Sequence, residues 1–175
     1  MHRRAEAIAA LGLALTLSAC APREEPVARD FQIGAHRVRV VPPGGWEVIE
    51  HGRQHLFRNG ESQVSLTDVV QPAPEDTTRE QSSDEKVAFV FGTFSQSGRR
   101  EIARRDERPV NGRLWTEVHT WNRISHMDPA RFAYTEAGRR FLVLATDRGP
   151  IEVTGPAFDT LLATIEAETD TSGTR

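Results

Sequence analysis

Three short glycine turns, each set between segments of alternating polarity, constrain this 175-residue chain more than any other feature. Asn59-Gly60 separates residues 54–57 from 63–70, and Asn111-Gly112 separates 101–110 from 113–124. Ala137-Gly138 stands between 132–134 and 141–146. Asn-Gly pairs adopt the left-handed backbone that tight two-residue turns need, and such turns join antiparallel strands. A further strand is expected over 36–41, with Val38 and Val40 on one face and Arg37 and Arg39 on the other. Pro42-Pro43-Gly44-Gly45 ends it, because proline cannot donate to a ladder, and 46–49 resumes extended structure. Phe141-Leu142-Val143-Leu144-Ala145 is apolar without alternation, so it needs cover on both faces and reads as a central strand.

Two segments break the period of two. Thr78-Arg79-Glu80-Gln81 matches a capping box, Val87, Val90, Phe91 and Phe94 follow at helical spacing, and Gly98 supplies a terminator. The richness of 86–94 in Val and Phe keeps a strand open as the alternative. Phe158, Leu161, Leu162 and Ile165 repeat on one helical face after a Gly155-Pro156 start. The order is strands, helix, strands, helix. That is an α+β chain: a largely antiparallel sheet of about six to seven strands with helices on both faces.

The first twenty residues read as an address. Met1-His2-Arg3-Arg4 is basic, and residues 7–16 are apolar without charge or proline. That stretch falls well short of the ~20 residues a spanning helix needs, and fits a cleaved signal. Leu17-Ser18-Ala19-Cys20 then resembles a bacterial lipobox, and Cys20 is the chain's single cysteine. One cysteine also excludes an internal disulfide framework and a Cys-rich metal site. Arg3-Arg4 lacks the flanking pattern of twin-arginine export. The expected organisation is a signal peptide over 1–19, an acylated Cys20 with a tether over 20–30, one domain over 31–167, and a frayed tail over 168–175. Resemblance to bacterial lipoproteins implies a diacylglycerol thioether on Cys20, usually with a third acyl chain on its amine. Ala21, where an Asp would retain the protein, points to the periplasmic face of the outer membrane. Removing Arg3, Arg4 and Glu6 with the leader takes the net charge from −3 to −4.

Four stretches carry a resemblance that covers most of 31–167: VRVVPPGGWEVIE, REIARRDERPVNGRLWTEV, GRRFLVLATDRG and FDTLLATIEA. Together they resemble the PsbP-like α/β/α sandwich, a family that includes a photosystem subunit, a eukaryotic Ran-binding protein and small bacterial lipoproteins. The resemblance implies an accessory or scaffolding module. It carries over no catalytic residues and no cofactor.

The chemistry legible in the residues is sparse. There is no phosphate loop, nucleophile elbow, zincin motif or dinucleotide fingerprint, so no catalytic residue is assigned. A net charge of −3 offers no basic excess for nucleic acid. His51 and His55 would lie on one face of a regular strand about 13 Å apart, too far to share a metal. On 113–124, Trp115, Glu117, His119, Trp121 and Arg123 alternate onto one face. Two indoles flanking a His, an acid and an Arg make this the candidate face for a partner or ligand. The competing reading packs the indoles beneath a helix and pairs the charges with neighbours. The basic run Arg99, Arg100, Arg104, Arg105 and Arg108 is interrupted by acids, which suggests cross-strand ion pairs on a solvated face. The expectation is therefore a non-enzymatic, membrane-anchored envelope lipoprotein that docks on an unidentified envelope protein. The alternative is a lipid- or small-molecule-binding lipoprotein with a pocket between sheet and helix.

Overall fold

A computed structural model describes residues 27–72, 80–94, 100–124 and 129–169. The leader, Cys20 and most of the expected tether lie outside the described residues, as do Thr78, Gly98 and Arg99. Ten strands and two helices run in the order β1 (Arg29–Ile33), β2 (His36–Val40), β3 (Glu47–His51), β4 (Gln54–Asn59), β5 (Ser62–Val70), α1 (Ser83–Phe94), β6 (Arg100–Val110), β7 (Arg113–Asn122), β8 (Ala130–Ala137), β9 (Arg140–Arg148), α2 (Ile151–Thr164) and β10 (Glu166–Thr169).

Seven strands form one sheet in the order β3-β4-β5-β9-β8-β7-β6, with every neighbouring pair antiparallel. The apolar run of β9 occupies its centre, as its composition requires. Phe141, Val143 and Ala145 pack with Val87 and Val90 of α1 on one face. Leu142 and Leu144 pack with Phe158, Leu161 and Leu162 of α2 on the other. The two helices thus cover opposite faces, and the α/β/α layering expected from the sequence is present.

The second face carries an addition. Strands β1, β2 and β10 form a separate three-stranded sheet whose Phe31, Ile33, Val38 and Val40 enter the same core as α2. The segment read as 36–41 belongs here and not to the large sheet. Arg29 and Asp30, read as tether, are in β1, and Glu168 and Thr169, read as frayed tail, pair with Arg37 and His36.

Local chemistry explains the other shifts. The capping box of α1 is Ser82-Ser83-Asp84-Glu85, not Thr78–Gln81. Glu85 N–H donates to Ser82 Oγ at 3.3 Å, and Ser82 N–H donates back to Glu85 Oε2 at 2.9 Å. Helix α2 starts four residues before Gly155, where Val153 and Thr154 N–H both reach the Pro150 carbonyl at 3.0 Å. Pro156 therefore sits inside the helix. The Asn59-Gly60 hairpin turns on Gly60-Glu61, with Asn59 paired to Ser62 and Gly60 at φ +58°. The Ala137-Gly138 hairpin likewise turns on Gly138-Arg139, with Ala137 paired to Arg140. Only Asn111-Gly112 turns on the pair itself, and Asn111 Nδ2 also donates to the Ile165 carbonyl at 2.8 Å.

Candidate functional site

The expected face of β7 is real as an alternation but does not form one patch. Trp115 is 1% exposed and sits in the core with α2 and the small sheet. Trp121 is 38% exposed, and its indole N–H donates to the carboxylate of Glu101 on β6. Arg123 lies beyond the end of β7 and is exposed. Burial of the first indole follows from the cover that α2 and the small sheet give its face, while Trp121 lies at the far end of β7.

Glu117 and His119 are brought together, with partners that no local signal in the sequence reveals. Glu117 is 5% exposed. Arg131 on β8 gives it Nε at 3.0 Å and Nη2 at 2.6 Å, both to Oε1. The same guanidinium reaches Asp159 of α2 at 2.7 and 3.3 Å, and its Cζ lies 4.5 Å over the Phe158 ring. His119 Nε2 is 3.0 Å from Glu117 Oε1, and Arg108 Nε is 3.6 Å from Oε2. Burial pulls the Arg131 guanidinium down, but its bonds to Asp159 and Glu117 outweigh that and raise it above its ordinary value. This constellation joins α2 to the sheet. Glu117 has its oxygens engaged, so the arrangement is a bracket, not an open acid–base pair.

A second polar cluster lies where the two sheets meet. Asp68 of β5 and His36 of β2 have fully buried side chains, with His36 Nε2 3.4 Å from Asp68 Oδ1. Arg140 at 3.0 Å and Arg53 at 3.3 Å face Asp68 Oδ2. Arg113 donates to Thr169 Oγ1 at 3.2 Å, and the same hydroxyl is hydrogen-bonded to His36 Nδ1 at 2.8 Å. Burial lowers the His36 imidazole below its ordinary value, against the pull of Asp68 and with the help of Arg113 and Arg140. His51 and His55 do not share a strand: His51 ends β3 and is exposed, whereas His55 lies in β4, buried 5.0 Å from the Phe31 ring. Burial lowers His55 as well, against the opposing pull of Glu50.

The basic run meets the cross-strand expectation only in part: Arg108 of β6 faces Glu117 of β7 at 3.6 Å, whereas Arg104 and Arg105 pair elsewhere. Arg104 pairs with Asp106 on its own strand at 2.6 Å. Arg105 pairs with Glu107 at 3.1 Å and with Asp84 of α1 at 2.9 Å. These are exposed or half-buried pairs of small worth.

A groove of roughly 610 Å³ opens on the α1 face of the large sheet, beside the last turn of the helix. Phe91 and Phe94 of α1 and Phe132 of β8 form an aromatic wall, and Gln54, Gln63, Thr67 and Thr120 line the sheet side. Arg100, Asp147 and Arg148 complete the lining. The register of β5 against β9 shifts between Gln63, opposite Arg148, and Val64, opposite Thr146, so Asp147 is the extra residue of a β-bulge. Strict alternation would send Asp147 and Arg148 to opposite faces; the bulge brings both to the groove. Gln63 Nε2 donates to Asp147 at 3.3 Å, while the buried Thr67 hydroxyl finds no partner among the described residues. The sequence reading missed this site because its residues come from seven elements and its key feature is a bulge.

No protein-family model matches the chain, and no curated protein sequence does. Among solved structures, it is similar to the solution structure of cyanobacterial PsbP (CyanoP) from Synechocystis sp. PCC 6803, at 13% identity and a TM-score of 0.54. The match covers 87% of this chain and 99% of that one. With the two helices on opposite faces of a seven-stranded antiparallel sheet, the chain has the PsbP-like fold.

Proposed function

We propose that this chain is a lipid-anchored lipoprotein of a bacterial envelope whose domain works by binding, as a non-enzymatic accessory module docked on another envelope component. The observation that carries the reading is Leu17-Ser18-Ala19-Cys20 at the end of a short apolar leader. Two or three acyl chains anchor firmly, at about 0.8 kcal/mol per buried methylene. Nine residue steps separate Cys20 from Arg29, where β1 begins. Fully extended, they reach about 30 Å, which holds the domain near the bilayer without a membrane-binding face of its own. The acid and base side chains of the two buried clusters engage one another, which supports binding over chemistry. With Trp115 in the core, the docking surface of this reading contracts to Trp121, Arg123 and the exposed Ile124.

In-cell crosslinking of the native chain should recover a discrete envelope partner, and a secreted Cys20→Ala form should recover less of it. Trp121→Ala should leave the fold intact and lower recovery. Unchanged recovery removes this surface, and no partner for a lipidated, folded chain removes docking itself.

The groove beside α1 favours a second reading, in which the anchored domain holds a small molecule or lipid. A ligand at a hundredfold excess over its Kd should then stabilise the domain by about 2.7 kcal/mol.

A further inference from the structure

We propose that this chain pairs with a second copy of itself along β3, an outer strand of the large sheet. The pairing is antiparallel, centred on Ile49, and joins the two large sheets into one.

The large sheet ends in two unlike edges. Strand β6 is guarded: it contains Pro109, its register against β7 slips between Ile102 and Arg104, and arginines and acids fill its middle. The two-residue turn Asn111-Gly112 makes Val110 and Arg113 a hydrogen-bonded pair, so Pro109 stands at an outward position and offers no donor there. Strand β3 (Glu47–His51) has no proline, bulge or lysine. Among the described residues it has a neighbour, β4, on one side only.

The turn after β3 decides which of its backbone groups are open. His51 and Gln54 flank Gly52-Arg53 and form the hydrogen-bonded pair that closes this turn. Glu47, Ile49 and His51 therefore aim N–H and C=O at β4, and Val48 and Glu50 aim theirs outward. Two copies join only by matching outward residues. Val48 against the partner's Glu50 does so twice, once from each copy, and each such pair exchanges two hydrogen bonds.

The side chains select that register. It sets Ile49 against the partner's Ile49 and Glu47 against the partner's His51, whereas the neighbouring registers oppose Glu47 to Ile49 or Glu50 to itself. Glu47 holds Arg58 through Oε2 at 2.8 Å, which leaves Oε1 for a second donor. His51 is exposed and makes no hydrogen bond or ion pair among the described residues. Its ring donates to a carboxylate in either charge state. Ile49 and Leu56 are half-buried neighbours on the face away from α2, outside both core clusters, and meet their copies across the joint. Trp46, next along, falls opposite the partner's Gly52, which presents no side chain. Five residues a side make a small joint, and interfaces below about 1,200 Å² are transient.

The test uses the chain from residue 20 with Cys20→Ala, which lacks the acyl anchor and the only thiol but keeps every strand and helix. Sedimentation equilibrium from about 5 µM to about 500 µM, the span in which a small interface dissociates, should show monomer giving way to dimer. Glu50→Pro removes an outward N–H and no bond to β4, and should abolish the dimer. His51→Glu opposes like charges twice and should weaken it about tenfold, whereas His51→Lys should not weaken it. Under mild oxidation Ile49→Cys should give a disulfide-linked dimer. Opposed residues of a non-hydrogen-bonded pair lie about 4.5 Å apart at Cα, within disulfide reach, while the two positions 51 stand at opposite ends of the joint, so His51→Cys should not cross-link. Circular dichroism melts establish that each variant folds, and if Glu50→Pro does not, the two cysteine variants still decide. Monomer at every concentration overturns the second copy as occupant and leaves the edge to an extended segment of another protein. A dimer that survives in folded Glu50→Pro overturns the placement on β3. Cross-linking at 51 as readily as at 49 overturns the register.

Discussion

Asp68 shows how much a single buried charge can demand of its neighbours. Gly34 passes so close that a Cβ there would lie 1.8 Å from Asp68 Oδ2, and its φ of +58° already excludes a comfortable side chain. The carboxylate cannot swing aside without leaving Arg140 and Arg53. Gly34→Ala should therefore cost about 2–4 kcal/mol, read as a fall in the urea midpoint. The buried histidines add a pH dependence. Both His36 and His55 are lowered from 6.5, chiefly by burial, so the unfolded chain takes up protons first as pH falls. Their contribution is fully present above about pH 6.5 and is lost as pH falls from there through the lower folded values. Urea midpoints should accordingly be flat from pH 8 to 7 and drop by pH 5.5. Among the described residues neither ring nitrogen of His55 makes a hydrogen bond, Glu50 lying 3.7 Å from Nε2, so His55→Leu should shrink that drop at little cost at pH 7.5. An unchanged acid slope in the variant would clear His55 of the effect. The sequence showed these residues only as scattered polar positions, because His36, Asp68 and Arg140 are joined by topology and not by spacing.

At the scale of elements, the alternating segments and their turns were legible because each is decided within a few residues. Strands β4 through β8 follow from alternation and glycine, and β9 from its unbroken apolar run. Where two local signals competed, the reading chose the wrong one. Thr78–Gln81 and Ser82–Glu85 both have the form of a capping box, and only the second is followed by its apolar positions in the correct phase. Ser82→Ala should cost about 1 kcal/mol, whereas Thr78→Ala should leave the melting temperature unchanged. Equal losses would place the cap elsewhere. Pro156 misled for a related reason. Proline is favoured at the first helical position, yet α2 keeps it in its second turn, leaving the Glu152 carbonyl without its usual donor. The bulge at Asp147 had no signal at all, since an extra residue in one strand is visible only against its partner.

At the scale of the whole molecule, the two ends of the domain meet. Strand β2 is flanked by β1 from the start of the domain and by β10 from its end, and the three close one side of the core. This sheet was not legible as separate, because β2 alternates just as a strand of the large sheet would. Its consequence is that the last strand, four residues long, carries more than its length suggests. The Thr169 hydroxyl bonds both Arg113 and His36, and the Asn111 amide holds the Ile165 carbonyl where α2 gives way to β10. A chain ending at Ile165 would leave β1 and β2 as a bare hairpin, which is marginal alone. It would also strip His36 Nδ1 of its partner inside the core, a loss of about 1–3 kcal/mol by itself. Compared with a chain ending at Thr169, the shorter one should lose about 2–4 kcal/mol at pH 7.5 and less at low pH, because the intact chain is destabilised in acid by its buried His36, whereas a freed His36 protonates without that cost. Urea melts of the two chains at pH 7.5 and 6.0 decide the matter. Equal midpoints would mean that the small sheet contributes nothing through β10. A loss that does not vary with pH would assign the stabilisation to the strand pairing and not to the Thr169–His36 contact.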